Sequence, residues 1–115
     1  MDISITLSTH LMQDLKQYYV FLEKLDTLGY TINIQDDVIF IEKEFDGIEI
    51  SLENLMESIF EEIDLNFISI HITNLRIGIF YSNEEYAFLS IEFSRKFIKK
   101  LNKLKLNLEI NSYTV

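Results

Sequence analysis

The sequence predicts an α+β fold: a single domain, 1–115, built on a mostly antiparallel mixed sheet of about six to seven strands. Three helices are expected to pack mainly on one face of that sheet. Three observations carry the prediction. With 115 residues and 48% hydrophobic content, the chain is long enough for one core and short of two. Several segments alternate apolar and polar residues and are joined by short polar reversals, which favours antiparallel pairing. Three other segments repeat their apolar residues every three or four positions behind a Ser or Thr, as capped amphipathic helices do.

Taken in order, Ile3, Ile5 and Leu7 alternate with Ser4 and Thr6, a half-buried strand. Ser8 or Thr9 then caps a first helix with the stripe Leu11, Leu15, Tyr18, Leu22 and Leu25, and Gly29 suits its C-terminal end. Residues 30–35 and 38–45 form a hairpin turning at Asp36-Asp37, with a further reversal at Asp46-Gly47 and a short strand near Ile48 and Ile50. Ser51 caps a second helix whose apolar face is Leu52, Leu55, Met56, Ile59, Phe60 and Ile63. Strands at 66–72, 75–81 and 86–93 follow as a meander. Ser94 caps a third helix with Phe97, Ile98, Leu101 and Leu104 inward, and Leu106, Leu108 and Ile110 mark a last strand.

Segments 3–16 and 89–102 align without gaps, matching Ser4/Ser90, Ile5/Ile91, Ser8/Ser94 and Leu15/Leu101. A duplicated strand-cap-helix unit would produce this pattern. So would any strand that enters a Ser-capped amphipathic helix.

Composition excludes several function classes. There is no Cys, which removes disulfides, thiolate metal sites and Cys nucleophiles together. The start Met1-Asp2-Ile3-Ser4-Ile5 lacks a basic leader, and no apolar run is long enough to span a bilayer, so the expectation is a cytoplasmic protein with no membrane role. A formal charge of −9 argues against direct nucleic-acid binding, which depends on Lys and Arg displacing counterions from phosphates.

That charge is concentrated. Between Asp36 and Asp64 stand eleven acids (Asp36, Asp37, Glu42, Glu44, Asp46, Glu49, Glu53, Glu57, Glu61, Glu62 and Asp64) against one base, Lys43. In the second helix Glu53, Glu57 and Glu61 follow at i, i+4 and i+8 with no Lys or Arg on the helix, a spacing at which like charges repel. A solvated face that keeps the protein soluble explains this. The sharper reading is a one-signed surface for a basic partner, because such fields steer association.

Chemistry has few footholds. His10 and His71 lie far apart with no HExxH or HxH spacing, and each reads as an ordinary imidazole, the first in a helical turn and the second in a strand. The paired carboxylates Asp36-Asp37, Glu61-Glu62 and Glu84-Glu85 are sequence neighbours, not two groups held in contrasting environments as acid–base catalysis requires. Glu42 and Glu44 share a strand face but lack the loop of oxygen ligands that Mg²⁺ or Ca²⁺ takes, and the three glycines are dispersed, so no phosphate loop is present. The reading is therefore no catalytic residues, no metal, no cofactor and no enzyme. Arg95, Lys96, Lys99, Lys100 and Lys103 on the third helix read as its solvent face. Phe80, Tyr86 and Phe88, placed by alternation on the far side of the meander, would mark a homodimer seam if left uncovered.

An acidic α+β chain with an acidic central helix from Ser51 to Asp64 and the tail FSRKFIKKLNKLKLNLEINSYTV resembles the immunity proteins of bacterial polymorphic toxin and contact-dependent growth inhibition systems. The tail is also similar to that of an uncharacterised bacterial family that ends in a capped helix and a strand. The resemblance implies a stoichiometric inhibitor of one cognate toxin, often a basic nuclease. The expected partner-binding residues are Asp36, Asp37, Asp46, Glu49, Glu53, Glu57, Glu61 and Asp64. Two alternatives share these features: a phage or mobile-element protein that mimics nucleic acid to block a host enzyme, and a homo-oligomeric module built on the aromatic sheet face.

Overall fold

The computed structural model describes residues 1–10, 19–49, 51–63, 68, 71–85 and 90–115. Among these residues, five strands form one mixed sheet: β1 (Asp2–His10), β2 (Thr31–Gln35), β3 (Val38–Phe45), β4 (Asn74–Tyr81) and β5 (Asn107–Thr114), in the order β2-β3-β1-β4-β5. All pairings are antiparallel except β4 with β5, which is parallel. Parallel neighbours need a long crossover, and helix α3 (Arg95–Leu104) lies within it. Helices α1 (Tyr19–Thr27) and α2 (Leu52–Glu62) precede α3 in the chain.

Alternation along the central strand defines two faces. Ile3, Ile5, Leu7 and Thr9 of β1 are buried while Asp2, Ser4, Thr6, Ser8 and His10 are not. Cross-strand partners share a face, so Ile39 and Ile41 of β3 and Leu75, Ile77 and Ile79 of β4 join the buried side. Leu25 of α1, Leu52, Leu55, Met56, Ile59 and Phe60 of α2, and Phe97 and Leu104 of α3 join that cluster, as do Tyr30, Ile63, Ile68 and Ile72. Phe60 stacks on Phe97 with ring centroids 6.2 Å apart, and Phe93 leans on Phe97 at 5.4 Å. Among the described residues, the opposite face of the sheet contributes no side chain to the core.

Local signals act as their chemistry requires. Ser51 and Ser94 accept the backbone N–H of Asn54 and Phe97, so both are N-caps. Helix α1 ends in a Schellman motif: Tyr30 N–H donates to Leu25 C=O, Gly29 N–H donates to Asp26 C=O, and Gly29 takes φ +92°. The hairpin turns at Asp36-Asp37 with Asp36 in the left-handed region, which Asp tolerates better than most residues.

Several expectations are corrected. Among the described residues the sheet has five strands, where about six to seven were expected. Ile48 is not in a strand; its N–H donates to Met1 C=O and closes the Asp46-Gly47 bend. Within 66–72, Ile68 and His71 are helical and Ile72 N–H donates to Ile68 C=O, so the i, i+4 pair of isoleucines overrides the β-branched composition. Residues 90–93 form no strand, and the rest of the expected 86–93 strand, including Tyr86 and Phe88, lies outside the described residues. Ser8, Thr9 and His10 belong to β1, paired with Phe40, Ile39 and Val38. Ser8 is therefore a strand residue where its aligned counterpart Ser94 is an N-cap, and the 3–16 and 89–102 segments differ in structure at that point. Leu11, Leu15 and Tyr18 lie outside the described residues.

Candidate functional site

The acidic segment does not form one surface. Asp36 and Asp37 stand at the β2–β3 turn, and Asp46 and Glu49 follow the far end of β3. The length of β3 separates the two pairs by roughly 25 Å. All four are exposed.

On α2, two of the three stripe carboxylates are engaged within the molecule. Glu53 accepts the backbone N–H of Ser94 at 2.6 Å, so it serves the N-terminus of α3 as well as the first turn of its own helix. Glu57 accepts from Lys100 of α3 at 2.8 Å, and the Lys100 ammonium also lies 5.9 Å from the Phe60 ring centroid. These contacts clasp α2 to α3 and offset the repulsion that the i, i+4 spacing creates. Glu61 is exposed, and Asp64 lies outside the described residues.

Lys43, the one base of the acidic segment, also turns inward. Paired with Ile5, it sits on the helix side of the sheet and donates to Leu28 C=O at 2.9 Å. Its ammonium lies 3.8 Å from Glu62 and 4.7 Å from the Tyr30 ring centroid. Tyr30 in turn donates to Glu62 at 2.8 Å. Burial first, then the hydrogen bond to Glu62 and the repulsion of its charge, push the Tyr30 phenol well above its ordinary range. This cluster ties the loop after α1, β3 and the end of α2 together.

The same alternation sends Glu42 and Glu44 to the open face of the sheet, beside Thr6 and Ser4 of β1. Asp46 and Asp2 continue this row at its end, where Asp2 also accepts the Gly47 N–H at 3.0 Å. Asp2, Ser4, Glu44, Asp46 and Phe80 line a depression of about 350 Å³, and a second opens between Ser4, Thr6, Thr31, Glu42, Lys43 and Glu44. One cation shares this face among the described residues: Arg76, which is held by Glu109 at 2.7 Å. Hydrogen bonds from Arg76 and Asn111 hold the Glu109 carboxyl below its usual range. Phe80 stacks on Tyr113 at 5.0 Å and borders the acidic row. Gly78 leaves room for this arrangement, since a Cβ there would come within 2.8 Å of Ser4 Oγ and 3.4 Å of the Phe80 ring.

Neither Glu42 nor Glu44 is among the partner contacts expected from sequence. The signal that finds them is parity: in a strand with one buried side, Ile39 and Ile41 place Glu42 and Glu44 together on the outside, and Lys43 away from them. His10 is exposed at the end of β1, and His71 is half-buried in a helical segment. Among the described residues no three His, Asp or Glu side chains converge in a metal-binding group, and no helix is long and apolar enough to cross a membrane.

No family model matches the chain. No curated protein and no solved structure matches it either.

Proposed function

We infer that this chain is a cytosolic, stoichiometric inhibitor that binds a cognate basic protein, in the manner of an immunity protein facing its toxin. One observation supports the reading above others: Asp2, Glu42, Glu44 and Asp46 line one side of an open sheet face. Among the described residues, the bases nearest to it are turned away, as Lys43 is, or already paired, as Arg76 is. A carboxylate row of this kind, flanked by the Phe80–Tyr113 pair, presents charge for steering and an aromatic anchor for affinity. Of the carboxylates expected from sequence, Asp46 belongs to this surface, while Glu53 and Glu57 serve the clasp between helices. A basic nuclease is the partner class that fits such a surface, since carboxylates can occupy the places of the phosphates it binds.

The test is affinity capture from the source cell with two baits, the wild-type chain and Glu42→Lys/Glu44→Lys/Asp46→Lys. The wild-type bait retains a basic protein at one-to-one stoichiometry, and the triple variant, folded by circular dichroism, loses it. Equal retention by both baits removes the open face from the interface.

A further inference from the structure

We propose that the free edge of β5 is a homodimer seam, where a second copy of this chain adds its own β5 antiparallel and extends the sheet across a two-fold axis. Among the described residues β5 has a neighbour on one side only, and its eight residues make it a longer edge than the five-residue β2 at the other margin. Native sheets blunt exposed edges with Lys, Pro, bulges or short strands. Asn107–Thr114 contains neither Lys nor Pro, and it pairs with β4 residue for residue without a bulge.

The backbone decides which groups face the edge. Asn107 N–H donates to Thr73 C=O and Val115 N–H donates to Tyr81 C=O, so the odd-numbered residues of β5 direct their N–H and C=O toward β4. The even-numbered residues Leu108, Ile110, Ser112 and Thr114 therefore direct theirs outward, away from every other strand of the sheet.

Charge selects a second copy as the occupant. In a chain of net charge −9, most surfaces of two copies repel. The only charged residue of β5 is Glu109, which Arg76 already neutralises. Antiparallel pairing about a two-fold axis places the helices of both copies on the same side, so only residues of equal parity can pair. Glu109 then meets an odd-numbered residue such as Asn111 or Tyr113 of the other copy, and Leu108 and Ile110, half-buried at the margin of the core, meet even-numbered partners. β4 separates the carboxylates of β1 and β3 from this seam, while Tyr113, which flanks them through Phe80, lies on β5 itself.

Sedimentation velocity from low to high micromolar concentration, paired with amide exchange on the same samples, tests the seam. A monomer–dimer equilibrium is expected. The amides of Leu108, Ile110, Ser112 and Thr114 should exchange roughly tenfold or more slowly at high concentration, while those of Glu109, Asn111 and Tyr113 are protected throughout. Ser112→Pro, which removes an outward N–H and leaves the β4 ladder intact, should shift the protein to monomer. If that variant does not fold, the exchange pattern of the wild type decides alone. A monomer at all concentrations overturns the proposal, as does a dimer whose even-numbered β5 amides exchange unchanged. A strand supplied by a different protein would leave the isolated chain monomeric and overturns it equally.

Discussion

Tyr30 shows how one side chain couples burial to charge. Its phenol is buried against the core and donates to Glu62, whose carboxylate is shared with Lys43. The ordinary value for a tyrosine is 10.0, and burial raises it in the folded chain. Below pH 10 the phenol is neutral in both folded and unfolded chains, and its full contribution is present. Above that value the unfolded chain releases a proton that the folded chain holds, so stability falls as pH rises. Tyr30→Phe should cost about 1 kcal/mol near neutral pH through the lost hydrogen bond. It should also flatten the decline in urea midpoint from about pH 9 to about pH 11. A variant with the wild-type slope would show that other groups set the alkaline limb. None of this was legible in the sequence, because the contact joins residues 32 apart and depends on Lys43 pointing inward.

At the scale of elements, what could be read from the chain is what local chemistry determines. Both serine-capped helices, the hairpin turn at Asp36-Asp37 and the Gly29 terminus stand where their residues place them. The region after α2 was illegible for a physical reason: Ile68, Ile70 and Ile72 satisfy the strand period, Ile68 and Ile72 satisfy the helical one, and burial of those two decides the outcome. The parallel pairing of β4 with β5 was equally hidden, since it follows from where the α3 crossover returns and not from the residues of either strand. The role of Glu53 and Glu57 follows from the same packing. Glu53→Ala should destabilise the fold by about 1 kcal/mol, because it uncovers the Ser94 N–H. Glu57→Ala should cost less than about 1 kcal/mol, as expected of a half-exposed ion pair. Denaturant unfolding measures both. Neither should weaken capture of the partner, whereas a loss of binding without a loss of stability would return α2 to the interface.

For the whole molecule, the acidic segment that is continuous in sequence is divided by the sheet. Its helix is clasped by Lys100 and the α3 N-terminus, its hairpin turn is at one end, and Glu42, Glu44 and Asp46 gather with Asp2 on the open face. Glu42 and Glu44 thus stand on one side of β3 and Lys43 on the other. The most direct measurement of this claim is the association rate of the captured partner with wild-type chain and with Glu42→Lys/Glu44→Lys, each at low and high salt. Steering by the open face predicts a loss of roughly tenfold or more in association rate at low salt that shrinks as salt is added, with dissociation less affected. Equal rates for both chains at low salt would contradict it.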